Sequence, residues 1–274
     1  MIHGCTKLLG VIGKPVGHSL SPEIHNFSAD FLGIDSTYVP LPYSGSHLPG
    51  LLQSLWDLGF QGLNVTVPFK EQVASLFPDS NLQSVNTLSR GTDYWQCHST
   101  DGLGFMRSIE QWADTKSFDQ FVILGNGGAS LAVVEAWLMK HPKARVQILR
   151  RSKERDSSFL KFSKSDLSFH DFSEGALESI LKSGTSLLVQ ATSAPLFGND
   201  LHSLSGAMDS LKGAFIDLLY GESVSSLLPK AKLIGADCED GLGMLVGQAL
   251  ASQDLWWKES APFDEVLNFL RAKD

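Results

Sequence analysis

The stretch QFVILGNGGASLAVVEAWLMKHP, residues 120–142, runs through a strand pattern, a glycine turn and a helix pattern in unbroken succession. QFVILG is a short apolar run of the kind buried in parallel sheets, and SLAVVEAWLMKHP has helix-forming composition closed by proline. A glycine turn carries meaning in that context. Gly125 permits the tight turn, Gly127 lets the backbone approach a pyrophosphate, and the following helix presents its N-terminal amides to that anion. The turn LGNGG (124–128) is thus a candidate phosphate cradle. Ser130 holds the third position of G-x-G-x-x-G, and a glycine turn in any α/β protein is the competing reading.

Further along comes VQILRRSKER (146–155). A fold that binds NAD places Asp or Glu about 20 residues past the glycines, on the ribose 2′-hydroxyl. Here Arg150, Arg151, Ser152 and Arg155 stand instead. Guanidinium groups bind a 2′-phosphate that a carboxylate would repel, which favours NADP over a merely solvated basic loop.

Strand-like runs continue at ARVQILR, TSLLVQAT, AFIDLLY and KLIGADC, with a helix near EGALESILKSG. Before residue 101 the strands are LLGVIG (8–13), TYVPL (37–41) and LNVTVPF (63–69), separated by helices over 22–33 and 47–59. Beyond Asp240 the chain is helical, DGLGMLVGQALASQDLWW and then PFDEVLNFLRAKD, with no strands left to pair. The serine-rich stretch 152–168 is the most loop-like interior segment. The alternation predicts α/β architecture with largely parallel sheets: a substrate domain over 1–101 completed by 241–274, a Rossmann-like domain over 102–240, and a cleft between them.

The 274 residues suffice for two modest cores, and 43% hydrophobic with 19% charged content describes a globular chain. A net charge of −8 without a basic run argues against nucleic acid. No apolar span predicts a membrane helix, and MIHGCTKLLGVIG is broken too soon for a signal peptide. The three cysteines, Cys5, Cys97 and Cys238, are widely spaced, which fits a reducing cytoplasm without disulfides or zinc. His18 and His25 are not spaced as a metal pair, so no metal is expected. The partner the pattern calls for is a small-molecule substrate, and monomer and homodimer fit it equally.

HSLSPEIHN (18–26) offers Ser21 as N-cap and Pro22 as first helical residue. Ser19 and the free amides then make a seat for a small carboxylate, with a simple capped helix as the alternative. NVTVPFKE (64–71) sets Lys70 directly after a run that reads as a buried strand. Such a lysine either snorkels to the surface or does chemistry. Asn86 in SVNTL and Asp101 in HSTDGLGF are further polar interruptions, Asp101 doubling as a helix-start signal. Brought together, Lys70 and Asp101 would form a proton-transfer pair on a substrate hydroxyl.

With these residues in view, the chain resembles the shikimate dehydrogenase family over essentially its whole length. The carrying stretches are GVIGKPVGHSLSPEIHN, GLNVTVPFKE, SVNTL, STDGLGF, LGNGGA, RRSKER, IDLLY and DGLGMLVGQA, in shared order. The resemblance implies NADPH-dependent, reversible reduction of 3-dehydroshikimate to shikimate in aromatic biosynthesis. It also implies the two-domain fold, with the C-terminal helices returning to the substrate domain. By matching positions, Ser19 and Ser21 would hold the substrate carboxylate, and Thr66, Asn86, Gln248 and Tyr220 would surround the ring. Lys70 would be the acid/base residue with Asp101 as its partner. The cradle 125–129 would take the pyrophosphate, Arg151, Ser152 and Arg155 the 2′-phosphate, and Leu218 and Gly241 would line the nicotinamide side.

Departures from the family pattern are Ser99 and Arg150 in place of Asn, Asn126 in place of a small residue, and Gln190 in place of Asn. The segment 71–85 is several residues short, leaving Glu71 and Asp79 as candidates for its usual acidic residue. Two alternatives accompany the main reading. One is a paralogue acting on quinate or an amino analogue. The other is a non-catalytic NADP- or metabolite-binding protein.

Overall fold

A computed structural model describes residues 2–110 and 117–273. The chain forms two compact units, Met1–Gly104 with Leu245–Asp274, and Phe105–Met244. Among the described residues no helix is long and apolar enough to cross a membrane.

The first unit is built on a five-stranded sheet of order β2-β1-β3-β4-β5. Its strands are β1 (Lys7–Gly13), β2 (Ser36–Pro42), β3 (Gly62–Val65), β4 (Thr87–Arg90) and β5 (Trp95–His98). β1 pairs in parallel with both β2 and β3, whereas β3–β4 and β4–β5 are antiparallel, so the sheet is mixed. The hairpin escapes sequence reading because TLSR and WQCH are four-residue strands of mostly polar composition. Helices α1 (Ser21–Leu32) and α2 (Leu48–Asp57) make the crossovers. Gly33 ends α1 in the left-handed region at φ 68°, its amide bonding Ala29 and Asp30 carbonyls.

Two local expectations change here. α1 starts one residue earlier than its capping pattern suggests: Leu20 is the N-cap, Ser21 the first helical residue, and the Ser19 hydroxyl accepts the Ser21 amide at 3.3 Å. The run LNVTVPF is not strand throughout. β3 stops at Val65, and Phe69 turns back to bond the Thr66 carbonyl at 3.0 Å. Pro68, lacking an N–H, cannot extend the ladder. Lys70 therefore opens a helix, α3 (Lys70–Leu76), and Asp101 opens another, α4 (Asp101–Ser108).

The second unit holds a six-stranded parallel sheet of order β11-β10-β9-β6-β7-β8. The strands are β6 (Gln120–Leu124), β7 (Arg145–Arg150), β8 (Leu167–Asp171), β9 (Ser186–Gln190), β10 (Gly213–Asp217) and β11 (Asp237–Glu239). Helices α5 (Gly128–Lys140), α6 (Glu174–Lys182) and α7 (Leu227–Leu233) cover it. Phe121 and Ile123 point into a core shared with α5, and Val122 and Leu124 into one shared with α6 and α7. This two-sided burial is why QFVIL is apolar without alternation. The order reverses between β7 and β9 on either side of β6, so the glycine turn lies at the switch point where such sheets bind ligands.

KLIGADC is not one strand: Lys232 and Leu233 finish α7, and only Asp237–Glu239 pairs. The serine-rich stretch is also more ordered than its composition suggests, with a 3₁₀ segment at Asp156–Phe162 and β8 starting at Leu167.

After α8 (Leu242–Trp257) comes α9 (Phe263–Arg271), and both contribute to the first unit. Phe269 stacks on Phe27 with centroids 4.1 Å apart, and Trp256 donates from its indole to the Leu88 carbonyl at 3.0 Å. Trp256 and Trp257 also pack against Leu9, Val11 and Tyr38.

Candidate functional site

In the first unit, Lys70 Nζ lies 2.7 Å from Asp101 Oδ2, with the lysine side chain 26% and the aspartate 8% exposed. A cation at the first residue of a helix opposes the helix dipole, whereas an anion there is favoured. Lys70 thus sits at an electrostatically poor position that the Asp101 carboxylate offsets. The carboxylate is held from behind: Asn86 Nδ2 donates to its Oδ1 at 2.7 Å and to Thr100 Oγ1 at 2.9 Å. Asn86 Oδ1 accepts the Thr100 amide at 2.7 Å. Gln248, on α8, brings Oε1 to 3.4 Å from the same Asn86 nitrogen. Lys70, Asp101, Asn86 and Gln248 are therefore one bonded cluster, with Lys70 reaching solvent.

Beneath this cluster lies a polar layer with no counterpart in the sequence reading. Asn64 Nδ2 reaches Thr87 Oγ1 at 3.0 Å and Ser252 Oγ at 3.1 Å, while Thr87 and Ser252 bond each other at 2.9 Å. Tyr38 donates its hydroxyl to Asn64 Oδ1 at 2.7 Å. Burial pushes the Tyr38 phenol well up. Asparagine inside an otherwise apolar strand was the available signal, since a buried amide must find partners. Thr66 lies beside the end of β1, where a Cβ on Gly13 would fall 2.3 Å from its Cγ2.

In the second unit, Gly125 has φ 109° and donates its amide to the Leu149 carbonyl at 2.7 Å. Gly127 is the N-cap of α5 with no side-chain cap, and a Cβ there would meet nothing within 4 Å. The space that a side chain at Gly127 would take is open. Ser130 Oγ and Thr192 Oγ1 are buried beside the turn, without a partner among the described residues. Unmet donors around an open helix N-terminus fit a phosphate group. Gly128 and Ala129, both half-buried, form the first turn.

The segment after β10 is tightly held. Asp217 accepts from the Ser225 amide and hydroxyl at 2.8 and 2.6 Å, from the Leu219 amide at 3.0 Å and from Gln190 Nε2 at 3.2 Å. Burial raises the Asp217 carboxyl's pKa, and these donors oppose the rise. Gly241 is required here, because a Cβ would stand 2.2 Å from the Leu218 carbonyl oxygen. Tyr220 is half-buried, its phenol pushed up by desolvation.

The arginines divide. Arg151 and Arg155 are exposed, as is Ser152, and Arg151 lies 5.1 Å over the Phe172 ring. Arg150 departs from the expected phosphate ligand. It is 8% exposed, its Nε donates to both Asp156 oxygens at 3.0 and 2.8 Å, and its Nη1 donates to the His170 carbonyl at 3.0 Å. As the last residue of β7 its side chain turns inward, which strand patterning does not reveal. Asn126 Nδ2 ties the glycine turn to the same loop, donating to Ser152 O at 2.9 Å and Asp156 Oδ1 at 3.1 Å. Glu71 and Asp79 are both exposed.

Residues 11–88 match the shikimate dehydrogenase substrate binding domain. The chain is 33% identical over 274 residues to a shikimate dehydrogenase (NADP(+)) of Paramagnetospirillum magneticum, covering 96% of this chain and 97% of that one. Its structure is similar to that of shikimate dehydrogenase from Aquifex aeolicus, with TM-score 0.85, 28% identity, and 99% and 100% of the two chains covered. A quinate dehydrogenase from Corynebacterium glutamicum, solved with NAD, shares the fold at TM-score 0.83 and 24% identity, over 97% of this chain and 99% of that one.

Proposed function

The chain belongs to the shikimate dehydrogenase family, and on that premise we propose that this oxidoreductase reduces 3-dehydroshikimate to shikimate with NADPH, reversibly. The observation that carries the proposal is the 2.7 Å pair of Lys70 and Asp101, backed by Asn86 and partly open to solvent. When bound, NADPH supplies the hydride that turns a ring carbonyl into a carbinol. Lys70, as an ammonium, donates the proton that the developing alkoxide needs, and in the reverse direction its neutral amine accepts that proton. Asp101 holds the ammonium in line and keeps its charge compensated. Asn86 and Gln248 offer amide groups to the ring hydroxyls, with Thr66 and Tyr220 completing the surround. Ser19 and Ser21 bind the carboxylate.

On the nucleotide unit, the open turn at 125–129 takes the pyrophosphate, and Arg151, Ser152 and Arg155 take the 2′-phosphate. Leu218 and Gly241 line the nicotinamide side. The fold is common to enzymes of shikimate and of quinate, so the polar groups must make the choice. Quinate carries one more hydroxyl where shikimate has a ring double bond. The small serines at 19 and 21 favour the flatter ring.

Steady-state assay of shikimate and quinate, each with NADP and NAD, tests the proposal. Shikimate with NADP should give the highest kcat/KM of the four. Faster turnover of quinate would transfer the reading to the paralogue, and saturable NADPH binding with no turnover of either would leave a binding protein.

A further inference from the structure

We infer that Arg150 and Asp156 form a neutralised pair that allows the nucleotide unit to accept an adenosine 2′-phosphate, Arg150 acting as a positioning residue through Asp156. The inference rests on the NADP reading above. Asp156 follows the phosphate-loop residue Arg155 directly, and its side chain is 23% exposed. Its Oδ1 accepts from Asn126 Nδ2 at 3.1 Å, and the same nitrogen holds the Ser152 carbonyl at 2.9 Å. A half-buried carboxylate thus stands between the pyrophosphate turn and the loop of Arg151, Ser152 and Arg155. An uncompensated carboxylate near this place is what selects against a 2′-phosphate in NAD-binding folds.

Arg150 supplies the compensation. Its Nε faces both Asp156 oxygens at 3.0 and 2.8 Å, and Nη1 is anchored on the His170 carbonyl at 3.0 Å with Asp171 Oδ1 at 3.4 Å. The guanidinium also lies 5.4 Å from the Phe169 ring centroid. The neighbouring carboxylates of Asp171, 90% exposed, and Glu154, on the exposed loop, are screened by water in a way that Asp156 is not. Arg150 therefore cancels a half-buried negative charge while Arg151 and Arg155 remain on the loop surface.

The test is titration of NADPH and NADH into the full chain by fluorescence. The proteins compared are wild type, Arg150→Gln, Asp156→Asn and the double variant. Arg150→Gln leaves the Asp156 carboxylate uncompensated near the incoming phosphate, so it should weaken NADPH by at least about tenfold and change NADH by about twofold or less. The neutral double variant should regain most of the lost NADPH affinity. Asp156→Asn alone keeps an acceptor for Asn126 and should bind NADPH as tightly as wild type or more so.

Equal weakening of both nucleotides by Arg150→Gln would reduce Arg150 to a structural residue and overturn the inference. So would a double variant as weak as Arg150→Gln, which would make Arg150 a direct ligand. Should Arg150→Gln not fold, a loss of NADPH affinity in Asp156→Asn is the overturning result. A wild type that binds NADH as well as NADPH removes the NADP reading itself, a distinct outcome visible before any variant is made.

Discussion

Lys70 Nζ and Asp101 Oδ2 stand 2.7 Å apart although 31 positions separate them in the chain, each as the first residue of a helix. Asp101 suits its helix start and Lys70 does not, and the pairing offsets the mismatch. Their meeting places a proton donor where one side is open and the other is backed by Asn86.

Lys70→Ala should lower kcat by about 10²- to 10⁴-fold, the usual worth of a positioned acid/base group, with a much smaller change in KM for shikimate. Asp101→Asn should behave similarly, because the ammonium loses its orientation. Since the two act as one unit, the double variant should fall no more than about tenfold below the worse single. NADP-linked absorbance under saturating substrate measures all three. Additive losses would mean that the two groups work independently.

Ser252 ties α8 to the layer under the Lys70–Asp101 pair, bonding Thr87 at 2.9 Å and accepting from Asn64 at 3.1 Å. Ser252→Ala leaves buried donors short of acceptors, a cost of about 1–3 kcal/mol. Urea denaturation should show that loss, and kcat should drop severalfold while NADPH binding stays unchanged.

Trp256 covers Gly62 so closely that an added Cβ would fall 2.1 Å from the indole Nε1. Gly62→Ala should therefore destabilise the protein by about 1–3 kcal/mol through overpacking. The companion change Trp256→Leu should cost less in the Gly62→Ala background than in wild type. Equal costs in both backgrounds would show that the contact is not what excludes alanine.

His25 is fully buried, stacked on Tyr38 with centroids 4.3 Å apart, and burial pushes its imidazole from 6.5 down to about 3. Above pH 6.5 it is neutral folded and unfolded, so it adds no pH dependence there. Below 6.5 the unfolded chain takes up the proton and the folded one does not until near 3. Stability from this residue is thus lost as pH falls through that window, by at most about 1.4 kcal/mol per unit and about 2 kcal/mol between pH 7 and 5. A His25→Gln variant, less stable at pH 7, should show a correspondingly flatter acid limb in urea melts at stepped pH.

Several elements could be seen in the sequence because their causes are local. β6, the turn at Gly125 and α5 each follow from neighbours within a few residues: two-sided burial, a positive φ, a helix-forming run. The antiparallel β4–β5 hairpin could not, since its short polar strands are held by the pairing of β4 with β3 and of β5 with β4 rather than by their own pattern. LNVTVPF shows the converse. Its residues favour extended chain, yet the Thr66–Phe69 turn and the Lys70 helix start override them. Arg150 was legible as a basic residue at the end of β7, but its inward turn toward Asp156 was not.

By itself the sequence determined most of the parallel strands and their helices, the glycine turn after β6, and the kinds of polar group available, because periodicity and backbone sterics act over a few residues. Which of those groups meet was decided only in three dimensions. Ser252 reaches Thr87 across 165 positions, and Asn64 reaches both. A buried charge or amide is stabilised by whatever donor the packed core brings within about 3 Å, and no property of its own segment encodes that partner.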